Sequence, residues 1–187
     1  GNNFLEPEIN NSSEINIKRI RENSRLNISV FKNNVTNLID FDYQDYVLKN
    51  ITQTTNEGLE IRYKLLGNDW DINFTFRVQD PKDNQGEQLL RRSKKSASFS
   101  LTKNINGFAT SLNFSAFGKR KDFGDLRLPG YGLSNLSTSW VINKKLKFSL
   151  KLENVFDKDY FTAATSNAFY LNQGRSVWMR LNYEFEN

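Results

Sequence analysis

The stretch that decides the fold is residues 146–152, Leu-Lys-Phe-Ser-Leu-Lys-Leu, in which apolar and polar side chains alternate without a break. Residues 177–185, Val-Trp-Met-Arg-Leu-Asn-Tyr-Glu-Phe, show the same alternation and end on an aromatic side chain. Successive side chains of a β-strand point to opposite faces of a sheet, so each stretch predicts a strand with one apolar and one polar face. Two such strands joined by a polar loop are typical of a transmembrane β-barrel, where one face meets lipid and the other meets the lumen.

The same alternation recurs along most of the chain and predicts about nine strands. They cover residues 12–21, 26–30, 59–65, 70–78, 97–101, 108–116, 136–142, 146–152 and 177–185. Short turns at 22–24, 67–69, 104–107 and 143–145 alternate with longer polar loops at 40–51, 80–86, 119–130 and 157–173. Bacterial barrels have this layout, with short periplasmic turns and long extracellular loops, and a single-chain barrel closes with an even number of strands. About nine strands therefore predict a segment of a larger barrel.

The composition excludes most enzyme chemistry. The chain has 187 residues, of which 37% are hydrophobic and 25% charged, and it has no run of about 20 apolar residues that a transmembrane helix needs. It contains no cysteine and no histidine, which excludes disulfides, thiolate and imidazole metal sites, and Ser-His-Asp catalysis. No spacing singles out a carboxylate pair or an activated lysine. We therefore expect no enzymatic activity and assign no catalytic, cofactor-binding or metal-binding residue.

The net charge of +5 suits a partner that carries phosphate groups. The basic residues are spread over strand ends and loops instead of gathering on one patch, so we expect lipid phosphates and no nucleic acid. The chain starts with Gly1-Asn2-Asn3 and has neither the basic start nor the apolar core of a signal peptide. A set of barrel strands without a signal peptide is expected to be processed or partial.

Six short motifs follow one another along the chain. The most specific is at residues 153–160, Glu-Asn-Val-Phe-Asp-Lys-Asp-Tyr. The others are Asn-Phe-Leu-Glu-Pro-Glu at 3–8, Phe-Lys-Asn-Asn-Val-Thr-Asn-Leu-Ile-Asp at 31–40, Asn-Glu-Gly-Leu-Glu at 56–60, Leu-Leu-Arg-Arg-Ser-Lys at 89–94 and Gly-Arg at 174–175. In their order along the chain, these motifs resemble the C-terminal part of the barrel of TonB-dependent outer-membrane receptors, most closely the vitamin B12 (cobalamin) receptors.

The resemblance implies an all-β, antiparallel transmembrane β-barrel of about 22 strands. Residues 1–187 are then expected to form the C-terminal part of that barrel, with the plug domain and the TonB box absent from the chain. The implied function is uptake of a scarce nutrient, cobalamin or a metal chelate such as a siderophore, across the outer membrane of a Gram-negative bacterium. The expected partners are outer-membrane lipid and lipopolysaccharide, the remainder of the barrel and the plug on the same or a separate chain, TonB through the plug, and the substrate.

Two other functions remain open from the residues alone. The chain could be a self-contained small outer-membrane barrel, acting as a pore or an adhesion protein, with residues 12–21 outside the barrel. It could also be a soluble β-rich binding module. A protein that folds as a water-soluble monomer without detergent would favour the last interpretation.

Some charged residues suggest binding or catalytic sites, and each of them also has a simpler explanation. Asp40, Asp42 and Asp45 could bind Ca²⁺ in an outer loop, or could be a solvated acidic loop, because no calcium-loop spacing is met. A second group could bind the phosphates of lipopolysaccharide. Alternatively, its side chains could be solvated or could face the lumen. The group consists of Arg91, Arg92, Lys94 and Lys95. The carboxylates of Asp157 and Asp159 resemble a catalytic pair, and a salt-bridged strand end also explains them.

Aromatic residues are predicted near the strand ends, where they would form the interfacial girdles of a membrane barrel. These residues are Tyr43, Tyr46, Trp70, Trp140, Tyr160 and Tyr183.

Overall fold

The computed structural model describes residues 2–42, 45–165 and 168–185, and it is built almost entirely of β-strands. The strands are β1 Ile9–Ile20, β2 Ser24–Asp42, β3 Val47–Leu66, β4 Trp70–Asp83, β5 Lys95–Ile105, β6 Phe108–Phe117, β7 Arg120–Lys121, β8 Arg127–Leu128, β9 Tyr131–Asn143, β10 Leu146–Glu153, β11 Phe161–Thr165, β12 Ala168–Leu171 and β13 Ser176–Tyr183. A 3₁₀ turn, Phe123–Asp125, lies between β7 and β8. No helix among the described residues is long and apolar enough to cross a membrane.

Nine of the strands form one antiparallel sheet in the order β1-β2-β3-β4-β5-β6-β9-β10-β13. Each strand pairs with its neighbours along the chain, apart from the two ribbons β7–β8 and β11–β12, which lie in the connections between sheet strands. The sheet is open, because β1 and β13 each have only one partner among the described strands. The prediction of about nine antiparallel strands from a larger barrel is confirmed.

The strand register separates apolar from polar side chains over the whole sheet. Phe74 lies opposite Phe99, Phe99 opposite Phe114, and Leu112 opposite Leu136, so four neighbouring strands present apolar side chains on one face. We call this the outward face, and the opposite one the inward face. Outward side chains are left open to the surroundings, as with Met179, which is 73% exposed. A sheet with its large apolar side chains on the exposed face is suited to lipid contact.

Tight turns join strands at one end of the sheet, as predicted. The turn between β5 and β6 consists of Asn106 and Gly107, whose φ angles are 49° and 83°. Two central residues with positive φ are typical of a type I′ turn, whose twist matches that of the flanking strands. The predicted turn at 67–69 separates β3 from β4, and the N–H of Gly67 donates to the carbonyl of Trp70 at 2.8 Å.

The long loops are shorter than predicted, because several strands continue into regions without apolar alternation. Of the predicted loop at 40–51, residues up to Asp42 belong to β2 and residues from Val47 belong to β3, and the two strands still pair at that point. The predicted loop at 80–86 likewise loses its first part to β4, which ends at Asp83. Main-chain hydrogen bonds pair the strands there although their side chains do not alternate. The apolar alternation therefore marks only part of each of these strands.

Candidate functional site

Three connections at the long-loop end pack together; we call residues 84–94, 118–130 and 154–175 the loop cluster. At its centre lies Asp122, which is fully buried. One carboxylate oxygen accepts hydrogen bonds from the backbone N–H of Phe123 at 2.8 Å and from Nε of Arg91 at 3.1 Å. The other accepts from the backbone N–H of Ala164 at 2.7 Å. One carboxylate therefore joins all three connections, and its burial is balanced by charged and neutral donors.

No pattern in the sequence predicts a core in these polar connections, yet Leu128 and Ala164 are fully buried there. Arg120, which lies opposite Leu128 in the β7–β8 ribbon, is also buried. Its Nη2 donates to the carbonyl of Phe161 at 2.5 Å, and its guanidinium lies 4.8 Å from the ring centroid of Tyr131. A buried cation is thus held by an aromatic face and a carbonyl.

Tyr131 also contacts Tyr160, with 4.7 Å between the ring centroids. Tyr160 was predicted in an interfacial girdle, and the structure places it in the loop cluster. Burial raises the pKa of its phenol above the ordinary value, and Tyr131 and Glu153 add to the rise. The phenol is kept neutral because an ionised ring would lose solvation there.

The motif at 153–160 forms a compact turn that begins the last connection. Asn154, with a φ of 48°, accepts a hydrogen bond from the N–H of Lys158 and donates one to its carbonyl, both at 2.9 Å. Asp157 reaches across the connection and accepts a hydrogen bond from the N–H of Arg175 at 2.7 Å. The predicted salt bridge at this strand end is thus made by Asp157 with Arg175, whose guanidinium lies 3.7 Å away. The motif fixes where the last connection leaves and re-enters the sheet.

The motifs at 3–8 and 31–40 contact each other at the β2–β3 hairpin. The N–H of Glu6 donates to Asn50 Oδ1 at 2.8 Å, and Asn50 donates to the carbonyls of Glu6 and Asn37. The carboxylate of Glu8 accepts from the N–H of Ile39 at 2.8 Å. The register shifts close to Asn37, which has a φ of 58°. The motif at 3–8 therefore supplies hydrogen-bond partners to main-chain groups that a bulge in β2 leaves without partners in the strand ladder.

The inward face carries a polar network on its central strands. Glu60 is 5% exposed and forms ion pairs with Arg62 and Arg77. Arg77 lies 5.5 Å from the ring centroid of Phe31. A Cβ on Gly58 would come within 2.8 Å of the Phe31 ring and 2.3 Å of the Val78 carbonyl, which explains the glycine in the motif at 56–60.

The acidic residues at the tip of the β2–β3 hairpin surround a lysine. Lys49 Nζ donates to Asp42 at 2.9 Å and also bonds to Asp45, while the Asp40 carboxylate accepts from the N–H of Phe41. Both carboxylates favour the charged ammonium and raise the pKa of Lys49. In the part of the chain that the structure describes, no group of three or more carboxylates is placed to hold a metal ion.

The four predicted phosphate-binding cations are divided between two surfaces. Arg91 turns into the loop cluster, where it bonds to Asp122 and covers the ring of Phe123 at 5.2 Å. Lys94 bonds to Asp80 at 2.5 Å, and exposed Lys95 lies opposite Val78 on the outward face. Arg92 is exposed, and its carbonyl accepts from Gln88.

The other predicted girdle residues lie near the strand ends. Trp70 begins β4, Tyr183 ends β13, and Trp140 stacks on Phe108 at 5.2 Å beside the short turns. Tyr46, which is 77% exposed, lies at the opposite end of the sheet. Tyr43 falls outside the described residues.

The model of the family described as TonB dependent receptor-like, beta-barrel, matches residues 1–155. The chain belongs to this family. It is 27% identical over 191 residues to the vitamin B12 transporter BtuB of Vibrio vulnificus, covering 99% of this chain and 31% of that protein. It is 25% identical over 199 residues to BtuB of Photobacterium profundum, covering 99% and 32%. The chain therefore spans about a third of the length of these relatives.

Two solved structures share the fold of this chain. The ferric yersiniabactin uptake receptor FyuA from Yersinia pestis superposes with a TM-score of 0.81 at 18% identity, covering 96% of this chain and 30% of FyuA. The copper transporter OprC gives 0.80 at 17% identity, covering 98% and 32%. The nine-stranded sheet is thus a segment of such a barrel.

Proposed function

We propose that this chain forms the C-terminal part of the barrel wall, and the adjoining outer loops, of a TonB-dependent receptor in the outer membrane of a Gram-negative bacterium. The observation that carries the proposal is the two-faced open sheet. Its outward face is apolar from β1 to β13, while its inward face holds charged and hydrogen-bonded groups such as Glu60 and Arg77. A wall between lipid and a polar lumen requires this arrangement.

The open edges support an assembly with further strands. The ladder groups on the free sides of β1 and β13 lack sheet partners among the described strands, and the apolar side chains on those strands are exposed, as with Ile15 at 72% and Leu181 at 65%. Unpaired edges are avoided in stable barrels. The remainder of the barrel, on the same or a separate chain, supplies the missing partners, and a plug in its lumen provides the contact with TonB.

The names of the relatives support a substrate class. Two are named as vitamin B12 transporters, and structures of the same fold include receptors for a ferric siderophore and a transporter for copper. We propose uptake of cobalamin or of a metal chelate such as a siderophore. In this proposed role the chain is part of a receptor and not an enzyme.

Two experiments test the proposal. The intact mass of the denatured polypeptide from native outer membranes is expected to be about three times 21.8 kDa if one chain supplies about 22 strands and a plug. A mass of 21.8 kDa would instead support a split receptor. Deletion of the gene is expected to abolish uptake of labelled cyanocobalamin or of a labelled ferric siderophore, and complementation should restore it. Unchanged uptake of both substrates, under cobalamin and iron limitation, would reject the proposed transport.

The alternative of a self-contained small barrel is less well supported. With residues 12–21 outside the barrel, closure would require β2 to pair with β13, and in the described structure β2 pairs with β1 and β3 while β13 pairs with β10. A closed barrel of all nine strands is also not favoured, because a single-chain bacterial barrel closes with an even strand number. Ion conduction by the isolated chain in a planar bilayer would favour the alternative.

A further inference from the structure

We propose that a cleft on the inward face of β9, β10 and β13 binds the anionic groups of the substrate as it passes through the barrel. Three cations line this cleft, and we call them the cation ladder: Lys147, Lys151 and Arg180. The inference rests on the proposed function, because only transport through the lumen brings a substrate to this part of the wall.

The register of the last two sheet strands places the cation ladder on the inward face. Leu150 lies opposite Met179 on the outward face, so the residues on either side of this pair point inward. The inward pairs are Lys147 with Asn182, Ser149 with Arg180, and Lys151 with Trp178. The three cations thus occupy three successive inward levels, about 7 Å apart along the strands. The ladder begins beside the short turn at 143–145 and rises toward the long-loop end.

The floor of the cleft consists of short side chains. The cleft has a volume of about 690 Å³ and is lined, besides the cations, by Ala109, Ser111, Ser137, Ser139 and Ser149. One inward row runs across four strands and ends at a cation: Ala109, Ser139, Ser149 and Arg180. Short side chains leave room above the sheet, and their hydroxyl groups both donate and accept hydrogen bonds. The cations therefore stand at one side of a polar hollow whose volume is usual for a ligand site.

The ladder carries a surplus of positive charge. Glu153 Oε1 accepts from Lys151 Nζ at 2.6 Å, and its Oε2 accepts from the indole N–H of Trp178 at 2.8 Å. This carboxylate is thus engaged at the long-loop end of the ladder. In the part of the chain that the structure describes, no carboxylate pairs with Lys147 or Arg180. Like charges on neighbouring strands repel one another, so an oxyanion bound between these two side chains would remove an unfavourable interaction.

The spacing of the cations suits passage of an anion better than permanent binding. Pores for anions are lined by lysine and arginine, and conduction needs several binding positions that are strong enough to admit an ion and weak enough to release it. The ladder offers such positions one after another along the strand direction, and its three side chains are exposed. Ammonium and guanidinium groups donate charge-assisted hydrogen bonds to carboxylate and phosphate oxygens. We therefore expect the substrate to carry a carboxylate, phosphate or similar oxyanion group.

The test uses the whole receptor that contains this chain, in cells that take up labelled cyanocobalamin or a labelled ferric siderophore. The chain has no cysteine, so Ser149→Cys places a single thiol of this chain between Lys147 and Arg180. Its modification is measured with two methanethiosulfonate reagents of similar size, one carrying an anionic sulfonate and one a cationic trimethylammonium group. Both rates are divided by the rates with a free thiol in solution, and the receptor without Ser149→Cys gives the background.

Two sets of substitutions are compared in the Ser149→Cys receptor. The ladder variant is Lys147→Gln, Lys151→Gln and Arg180→Gln. The control removes equal charge from the same face outside the cleft, with Lys18→Gln, Arg25→Gln and Lys64→Gln on β1 to β3.

We expect the anionic reagent to modify the thiol about ten-fold faster than the cationic one, because a cleft lined by one sign of charge concentrates counter-ions. The ladder variant should lose this preference and the control should keep it. Excess unlabelled substrate should slow the modification in energised cells. Equal rates for the two reagents, or the same preference in the ladder variant and the control, would overturn the inference. A thiol that stays unmodified during uptake would also overturn it, in favour of a cleft filled by acidic side chains of the plug.

Uptake gives an independent measure of the same site. The maximal uptake rate of the ladder variant should fall by about ten-fold, while the affinity of the cell surface for the substrate stays unchanged, because the ladder lies below the outer loops. The control should transport like the wild type. A ladder variant with the maximal rate of the control would contradict a role in passage.

The proposed function fails separately. It is rejected if deletion of the gene leaves uptake of both substrates unchanged. A receptor that supports uptake, but whose ladder variant transports and reacts like the control, overturns only the inference.

Discussion

The carboxylate of Asp122 accepts a hydrogen bond of 2.7 Å from the backbone N–H of Ala164, and both residues are fully buried. The same carboxylate holds Arg91 from a third connection. Three outer connections that differ widely in sequence position thus depend on one side chain. Their shape is set by this contact as much as by the strands that carry them.

Asp122→Asn is expected to loosen the loop cluster and leave the sheet intact. The amide keeps one acceptor oxygen, so it cannot accept from both sides, and it loses the charge that strengthens the bonds from Arg91 and Ala164. A hydrogen bond to a charged group contributes about 1.5–3 kcal/mol, against about 1 kcal/mol for a neutral one. Hydrogen exchange at residues 84–94 and 157–165 should accelerate about ten-fold or more. Asp69→Asn, in a short turn, serves as the charge-matched control, and equal exchange in both variants would contradict the assignment.

Substitutions of Asn154 separate its two roles. Asn154→Gly keeps the freedom to adopt a φ of 48° and loses both hydrogen bonds to Lys158, each worth about 1 kcal/mol. Asn154→Ala loses the same bonds and adds the cost of the left-handed conformation, about 1–2 kcal/mol. The temperature at which the folded band converts on a heat-modifiability gel should fall in the order wild type, glycine, alanine. An alanine variant as stable as the glycine variant would show that the backbone conformation is not strained.

Gly58→Ala is expected to destabilise the barrel wall by about 1–3 kcal/mol, as is typical of overpacking. The added Cβ meets the backbone carbonyl of Val78 as well as the ring of Phe31. Adding Phe31→Leu to Gly58→Ala should therefore restore only part of the lost stability, because the carbonyl cannot move away. Gly86→Asn is a useful control, since a Cβ at that glycine meets nothing within 4 Å and asparagine tolerates its positive φ. If Phe31→Leu restored the full stability, the added Cβ would clash with the Phe31 ring alone.

Titration of Tyr160 gives a test at high pH. Its pKa in the folded protein is raised above the ordinary tyrosine value of 10.0, so above pH 10 the folded state retains a proton that the unfolded state releases. The free energy of unfolding should therefore fall as the pH rises through this window. Ultraviolet difference spectra should show a late-ionising tyrosine that disappears in Tyr160→Phe, while Tyr170→Phe should leave it in place. If the late-ionising signal remains in Tyr160→Phe, it belongs to another tyrosine.

Apolar alternation predicted the sheet because every second residue lies on its exposed apolar face. Phe74 and Phe99 come together in the structure as the period of two requires. Beyond the apolar face this constraint ends, so the alternation does not predict the pairing of Asp42 with Val47, and the sequence predicts a loop there.

The loop cluster could not be predicted from spacing. The partners of Asp122 lie 31 and 42 positions away, and no local pattern relates Arg91 to Ala164. The sequence Asp-Phe-Gly-Asp at 122–125 does indicate a turn, but a turn does not show that its carboxylate is buried. The resemblance identifies the motif at 153–160, but it does not predict the hydrogen bonds of Asn154 and Asp157 that hold this turn together.

The β2–β3 hairpin is longer than a bilayer requires. With 19 residues in β2 and 20 in β3, it extends about 60 Å along the strand direction, against a hydrocarbon layer of about 30 Å. In a receptor oriented as proposed, roughly half of it stands in the medium outside the cell. That half is open to antibodies, bacteriophages and proteases, and its sequence can diverge under their pressure without altering the wall in the membrane.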